Sequence, residues 1–506
     1  MRKSDNKAIL LNMIWSCTAV IINYLINFLI TPYVTNNIGV EAYGFVALAN
    51  TFTTYIDIIS VGLNAFASRF ISIAYHKNDI KKANDYYSST IVADIVLAIV
   101  VLVPCCFIVY NLNLFLNIPE ELTSDVKILF LTIIIKYLLT VLRTAFSVAT
   151  FIKNRLDISE KQNCLGYIIQ GAILLFLCTV FFPHVWYVGL SALIAAGYLL
   201  ARYVMLSKKL VPELQFDRRR ASINAVLEMV KSGIWNSINN LGNILNSGLD
   251  LLITNLLLSA TIMGQISIAK NLATICYTLV QKISSSFRPK QLRLYAQNDI
   301  EKLVAALKST MQFTGLICNL IIAVFAACGY PFLKLWVPTQ NIDYIFIISM
   351  IVLFSDIVIG VVNPLYYVFT LTKRLMIPCC ITIAMGIANV VSMYFLIKFT
   401  PLGGYAVVLT TLVLNCVHFV DTPLYSSYCL KVKWTTFYPV IIRHIIACFI
   451  TLGVVRVIAS KIIQPETWTA LVIYGAFYTA ISLVILGLII YGPVKIKKML
   501  SDRFRL

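Results

Sequence analysis

Residues Met263–Thr310 read MGQISIAKNLATICYTLVQKISSSFRPKQLRLYAQNDIEKLVAALKST, and a related stretch lies 220 residues earlier. That stretch, Tyr43–Thr90, reads YGFVALANTFTTYIDIISVGLNAFASRFISIAYHKNDIKKANDYYSST and aligns without a gap. The matched positions include Gly264 with Gly44, Tyr295 with Tyr75, Asn298-Asp299-Ile300 with Asn78-Asp79-Ile80, and, outside the stretch, Asn243 with Asn23. A run of matches at one constant offset indicates that the chain contains two structural repeats.

The composition is that of a membrane protein. Of the 506 residues, 59% are hydrophobic and only 12% are charged, whereas about a quarter of a soluble domain is charged. The apolar runs predict an all-α polytopic protein of about fourteen transmembrane helices, because each run is close to the ~20 residues that cross the hydrocarbon. The predicted spans are residues 8–33, 42–66, 86–110, 124–149, 162–182, 187–207, 232–257, 264–287, 303–328, 343–370, 376–398, 404–429, 439–460 and 468–492.

The repeats predict the domain organisation. Residues 1–210 would form an N-terminal six-helix lobe, 211–231 a basic cytoplasmic linker, 232–430 a C-terminal six-helix lobe, and 431–506 two extra helices with a basic cytoplasmic tail. Each copy has an even number of spans, so the copies point the same way and are related by an axis along the membrane normal. A cavity is expected between the two halves.

Loop charge predicts the orientation. Of the 41 Lys and Arg residues, 34 lie in loops and flanks on one side of the membrane and 5 on the other. The positive-inside rule then places both termini in the cytoplasm. The net charge of +19 is concentrated in these loops, so anionic membrane lipid is the expected partner and nucleic acid is not.

The sequence lacks the common signals of catalysis. It contains no Walker loop, no GxSxG and no HExxH pattern. Its 13 cysteines lie mostly in apolar runs, with no CxxC and no zinc-ligand spacing. We therefore expect no enzyme activity, metal or cofactor, and transport driven by an ion gradient or by the gradient of the substrate.

Polar residues recur at helical spacing in the first, second, seventh and eighth spans. Steps of three, four and seven put each set on one helix face. Lipid cannot satisfy amides or charges, so these faces should look inward. Asn240 and Asn243, on the asparagine-rich face of the seventh span, are predicted to line a water-filled cavity. The alternative is that such residues only hold the helices together through hydrogen bonds.

Three cationic residues inside predicted spans are the candidate substrate-binding residues. A charge at the bilayer centre costs at least ~2.5–3.5 kcal/mol, so each needs a partner, water or a ligand. We predict that Lys136, Arg143 and Lys270 form a cationic patch that attracts an anionic head group, such as a phosphate or an acidic sugar. Lys270 breaks the repeat symmetry, because the first copy has Asn50 there.

Three carboxylates inside predicted spans are the candidate ion-coupling residues, namely Asp57, Asp94 and Asp250. An acid at membrane depth can bind and release a cation during transport. Internal ion pairing is the alternative, for example between Lys270 and Asp57 or Asp250.

The turn before the second span carries a family resemblance. Ile38-Gly39-Val40-Glu41-Ala42-Tyr43-Gly44 resembles the LG-x-x-x-Y/F-G turn of the polysaccharide-transport branch of the multidrug/oligosaccharidyl-lipid/polysaccharide exporter superfamily. The two six-helix repeats, two extra helices and basic central loop are also similar to this superfamily, over nearly the whole chain. The branch includes Wzx-type flippases of O-antigen, capsule and exopolysaccharide synthesis.

The resemblance implies a V-shaped bundle of two lobes. It implies a flippase that moves an undecaprenyl-pyrophosphate-linked oligosaccharide across the bacterial inner (plasma) membrane by alternating access. Lys270 matches a place where flippases often keep a cationic residue, whereas the Arg-Asp pair of peptidoglycan-precursor flippases is absent from the first span. The implied partners are the lipid-linked oligosaccharide, membrane lipids, a coupling H+ or Na+, and polysaccharide polymerase and chain-length proteins.

Two other functions compete with the flippase. An ion-coupled multidrug or cation antiporter of the same superfamily would favour an acidic cavity without Lys136 and Lys270, and usually has twelve spans. A membrane-embedded polymerase or glycosyltransferase would have a large extracytoplasmic loop with paired Arg or Asp residues, which this sequence lacks.

Overall fold

The computed structural model describes residues 3–153, 155–462 and 464–492. This part of the chain contains sixteen α-helices and no strand, which confirms the all-α prediction. The helices are α1 (Lys3–Asn37), α2 (Val40–His76), α3 (Ile80–Tyr110), α4 (Leu112–Phe115), α5 (Thr123–Ile152), α6 (Leu156–Val180), α7 (Trp186–Leu210), α8 (Ile223–Asn243), α9 (Asp250–Leu257), α10 (Ala260–Ala296), α11 (Ile300–Trp336), α12 (Ile342–Leu371), α13 (Met376–Phe399), α14 (Gly404–Leu430), α15 (Tyr438–Lys461) and α16 (Trp468–Tyr491). The predicted basic tail after residue 492 lies outside the described residues.

Each predicted span falls on a helix, and the seventh falls on α8 and α9 together. Eleven helices among the described residues are long and apolar enough to cross a membrane, judged by length and composition. The predicted spans outside this set lie on α5, α8–α9 and α10, which carry the intramembrane cations and the asparagine-rich face. The chain is a multi-pass membrane protein, and the total of fourteen spans stays a prediction.

The sequence repeat is also a repeat of local structure. Helices α2 and α10 are both 37 residues long and start 220 residues apart. Helices α3 and α11 start at the same offset. The turn before each of these two helices contains an asparagine with positive φ, 60° at Asn78 and 55° at Asn298. Asparagine tolerates this left-handed conformation better than most residues.

The next residue in each turn caps the following helix. Asp79 accepts a hydrogen bond from the Lys82 backbone N–H, and Asp299 accepts one from the Lys302 backbone N–H, both at 3.0 Å. The Lys302 ammonium and backbone N–H also hold the pKa of Asp299 below its usual range. Identical turn chemistry at one offset supports a duplication of the helix pair.

The chain divides into two compact units, Met1–Gly264 and Gln265–Leu506. In the first unit, α5 packs against α2, α3 and α7, and α8 packs along α2. In the second unit, α11 packs against α12, α15 and α16, and α12 packs against α14. Helices α8 and α9 belong to the first compact unit, so the repeat boundary at the 211–231 linker stays a prediction.

The linker is fastened to α3 by buried polar side chains. Asn84 donates to the carbonyl of Glu213 at 3.1 Å and accepts from the backbone N–H of Gln215 at 2.8 Å. The hydroxyls of Ser88 and Ser89 accept two further linker N–H groups, at 3.1 and 2.9 Å. These four hydrogen bonds hold the linker against α3 of the first unit.

Two repeat-equivalent glycines contact each other within the first unit. A Cβ atom added to Gly44 would lie 2.9 Å from the Cα atom of Gly264. Nearby, the Thr261 hydroxyl donates to the Glu41 carboxylate at 2.7 Å, and these residues are also 220 positions apart. The first turns of α2 and α10 therefore meet through equivalent positions of the repeat.

A second close backbone approach joins α2 and α8. A Cβ atom added to Gly233 would lie 1.9 Å from the carbonyl oxygen of Gly62, and one added to Gly62 would lie 2.9 Å from the Ser237 hydroxyl. Small residues permit such close packing between membrane helices.

We expect Gly233→Ala to lower the stability of the protein by about 1–3 kcal/mol, because the added methyl group overlaps backbone that cannot rotate away. Thermal unfolding of the purified protein in detergent measures this change. Gly453→Ala is the matched control, since nothing lies within 4 Å of its added Cβ atom. Equal unfolding temperatures for the two variants would contradict the close packing of α2 and α8.

Candidate functional site

The first unit contains a polar cavity of about 200 Å³ between α2 and α5. The residues that line it are Asp57, Ser60, Val61, Asn64, Tyr137, Thr140, Val141 and Thr144. Steps of three and four residues place them on one face of each helix. The cavity thus gathers carboxylate, amide and hydroxyl groups inside largely apolar helices.

Asp57 is held in this cavity by two hydroxyl groups. The Ser60 hydroxyl lies 2.6 Å from Asp57 Oδ1, and the Tyr137 hydroxyl donates to the same oxygen at 2.8 Å. The two hydroxyls are themselves 2.6 Å apart. This triangle of oxygens links α2 to α5 and fixes the orientation of the carboxylate.

Asp94 lies next to this group on α3 and is fully buried. Asn64 donates from Nδ2 to Asp94 Oδ1 at 3.1 Å. Among the described residues, neither Asp94 Oδ2 nor Asn64 Oδ1 has a hydrogen-bond partner. Tyr137 interacts electrostatically with both Asp57 and Asp94. The structure therefore brings two of the three predicted coupling carboxylates into one group.

Asp250 is not among the residues that line the cavity. It is buried at the start of α9 and interacts electrostatically with Tyr55 of α2. The Tyr55 hydroxyl donates to the carbonyl of Gly248 at 2.7 Å. Asp250 is therefore placed beside an irregular part of the backbone.

That irregular part is a π-helical turn at Ile244–Gly248. Within the asparagine-rich face, Asn240 is half-buried and Asn243, the last residue of α8, is exposed. Single π turns inside helices are frequent at functional sites. The polar periodicity located this face, but nothing in the sequence signalled the π turn.

Lys136 and Arg143 lie two turns apart on α5. Both side chains are half-buried, and their positive charges repel each other. The Arg143 guanidinium lies over the Tyr203 ring of α7, 5.2 Å from its centroid. This cation–π contact stabilises one of the two charges.

Lys270 lies in the second unit, half-buried on α10. It interacts electrostatically with Asp356 of α12. Tyr277 and Cys318 also interact with the Asp356 charge, so this carboxylate lies among α10, α11 and α12. Since Lys136 and Arg143 belong to the other unit, the three-residue cationic patch stays a prediction.

Four residues of these groups were missing from the predicted sites, namely Ser60, Asn64, Tyr137 and Asp356. Ser60 and Asn64 follow Asp57 at steps of three and seven, so helical spacing could have identified them. Tyr137 and Asp356 reach their partners only through contacts between helices.

Comparison with known proteins places the chain in a family. A family described as polysaccharide biosynthesis protein matches residues 9–289, which is more than half of the chain. The chain belongs to this family. It is 27% identical over 470 residues to a Bacillus subtilis (strain 168) protein named uncharacterized membrane protein EpsK, with 92% of each chain covered.

Solved structures share the fold of this family member. The lipid II flippase MurJ in an inward closed conformation has a TM-score of 0.72 and 14% identity, covering 95% of this chain and 99% of that one. A multidrug resistance MATE family transporter of the MOP superfamily has a TM-score of 0.66 and 12% identity, covering 81% and 94%. At these identities the likeness shows that the chain has the fold of these two proteins, and the family match agrees with the polysaccharide-transport resemblance of the sequence.

We expect Lys270 and Asp356 to be energetically coupled. Lys270→Gln and Asp356→Asn, made singly and together, should give a coupling free energy of about 0.5–3 kcal/mol in a double-mutant cycle of thermal unfolding. The control cycle combines Lys282→Gln with Asp356→Asn. Lys282 is exposed on the same helix, so the effects of these two substitutions on stability should be additive. Additivity in both cycles would contradict the contact.

Proposed function

We propose that this protein is a flippase for an undecaprenyl-pyrophosphate-linked oligosaccharide, working by alternating access in the bacterial inner membrane. It would serve O-antigen, capsule or exopolysaccharide synthesis. The family match and the fold likeness support a membrane flippase or transporter, and the nature of the substrate is our inference.

The observation that carries the proposal is the extent of the fold match. The likeness to the lipid II flippase covers 95% of this chain, whereas the likeness to the MATE transporter covers 81%. The two extra C-terminal helices, α15 and α16, favour the flippase over the antiporter.

The charges inside the spans suit a pyrophosphate-linked lipid. Lys270, Lys136 and Arg143 would attract the pyrophosphate, because cations inside a membrane protein are natural binding groups for phosphate oxygens. Asn240 and Asn243 would offer amide groups to sugar hydroxyls. The basic loops would lie in the cytoplasm, where the substrate is loaded, together with both termini.

Energy would come from a gradient of H+ or Na+. Asp57, Asp94 and Asp250 are the proposed coupling carboxylates, since each lies within a predicted membrane span. Polysaccharide polymerase and chain-length proteins would act on the exported lipid-linked oligosaccharide.

Antiport of cationic drugs is the second candidate. The MATE likeness and the acidic cavity of the first unit support it. Two lysines at membrane depth, Lys136 and Lys270, oppose it, because they would repel a cationic substrate. Resistance of expressing cells to cationic dyes separates the two functions.

We expect Lys270→Ala to reduce polymer export at least tenfold while the protein stays in the membrane, because a lost charge–phosphate contact weakens binding by about 1.5–3 kcal/mol. Export is measured as surface polysaccharide per unit of membrane-inserted protein. Lys290→Ala, at an exposed position of the same helix, is the control and should export normally. Normal export by well-expressed Lys270→Ala cells would remove Lys270 from the binding site.

A further inference from the structure

We propose that Asp57, Ser60, Asn64, Asp94 and Tyr137 form a binding site for a small monovalent cation, either a proton or Na+. The inference rests on the proposed function and deepens it. It assigns coupling to a defined set of atoms in the first unit and adds Ser60, Asn64 and Tyr137 to the carboxylates.

The charges around Asp94 favour a bound cation. Asp94 is fully buried, and the groups that face it or its neighbours are Asn64 and Asp57 from α2 and Tyr137 from α5. None of these is a cation, and no described Lys, Arg or His forms an ion pair with Asp57 or Asp94. A buried carboxylate without a cationic partner is unstable unless a proton or a cation neutralises it.

The buried atoms left without a partner in this cluster are hydrogen-bond acceptors. Asp94 Oδ2 and Asn64 Oδ1 are both acceptors, and neither receives a hydrogen bond from any described residue. An anion or another acceptor cannot satisfy them. A cation can, or a proton that bonds to Asp94 Oδ2 and leaves a neutral acid able to donate one hydrogen bond.

The cavity between α2 and α5 borders this cluster. Asn64 and Asp57 line the cavity of about 200 Å³, which is roomy enough for water molecules. A cation in this cavity lies beside Asn64 and Asp57, while Asn64 Oδ1 and Asp94 Oδ2 are buried directly behind its lining. Hydroxyls from Ser60 and Tyr137 hold the second carboxylate at 2.6 and 2.8 Å, so the site offers several oxygen ligands within one cluster.

The test measures stabilisation of the purified full-length protein by the cation alone. One arm raises Na+ at constant ionic strength and fixed pH, with choline as the replacement cation. The other arm lowers pH from 8 to 6 without Na+. We expect the unfolding temperature of the wild type to rise in one arm, because a ligand bound only by the folded state stabilises it. The arm that responds identifies the cation.

Asp94→Asn should abolish this rise, and Glu121→Gln, at an exposed carboxylate of the same unit, should keep it. Tyr137→Phe should raise the half-maximal cation concentration roughly 2- to 12-fold, the equivalent of one hydrogen bond of 0.5–1.5 kcal/mol. It also serves as the decisive variant if Asp94→Asn does not fold.

No stabilisation of the wild type in either arm would overturn the proposal. An unchanged response in Asp94→Asn, or in Tyr137→Phe where the first variant does not fold, would overturn it as well. The assay contains no lipid carrier, so it can fail while the flippase assignment stands. Polymer export by Lys270→Ala tests that assignment separately.

Discussion

Polar side chains inside a membrane must find partners within the protein, and this constraint organises the structure. The hydrocarbon offers no hydrogen bonds, so each buried amide, hydroxyl or charge is stable only against another polar group, water or a ligand. Asp57 accepts hydrogen bonds from two hydroxyls, on α2 and α5. Arg143 lies over an aromatic ring, and Lys270 interacts electrostatically with Asp356. The atoms that stay without a described partner, such as Asp94 Oδ2, are therefore where we propose that a ligand binds.

The duplication supplies the scaffold for these contacts. The repeated turns, with Asn78 and Asn298 in the left-handed conformation, start equivalent helices in both copies. The glycine contact between Gly44 and Gly264 shows the same positions meeting each other. Lys270 breaks this symmetry, because it replaces the amide of Asn50 with a charge. The duplicated helices therefore carry an acidic cluster, Asp57 and Asp94, in the first copy and a cation, Lys270, in the second.

The sequence predicted the helices and the repeat well, because both depend on local patterns. Apolar runs gave the spans, and the constant offset at Asn78-Asp79 and Asn298-Asp299 gave the equivalent turns. Helical spacing also placed Lys136 and Arg143 on one face of α5. It could not pair Tyr137 with Asp57 or Asp356 with Lys270, because these residues come together through packing between helices far apart in sequence. The π turn at Ile244–Gly248 has no spacing signal, since it is a local change in hydrogen bonding.

The central claim is that the interior charges serve an anionic lipid-linked sugar rather than a cationic drug. The most direct measurement is a transport assay with the purified protein reconstituted in sealed vesicles that contain a fluorescent polyprenyl-pyrophosphate oligosaccharide. A quencher added outside the vesicles reports how much of the labelled lipid has reached the outer leaflet. The account predicts that the labelled lipid crosses only in vesicles with protein, while a cationic dye does not move. Dye transport against an ion gradient, with the labelled lipid confined to its original leaflet, would contradict it.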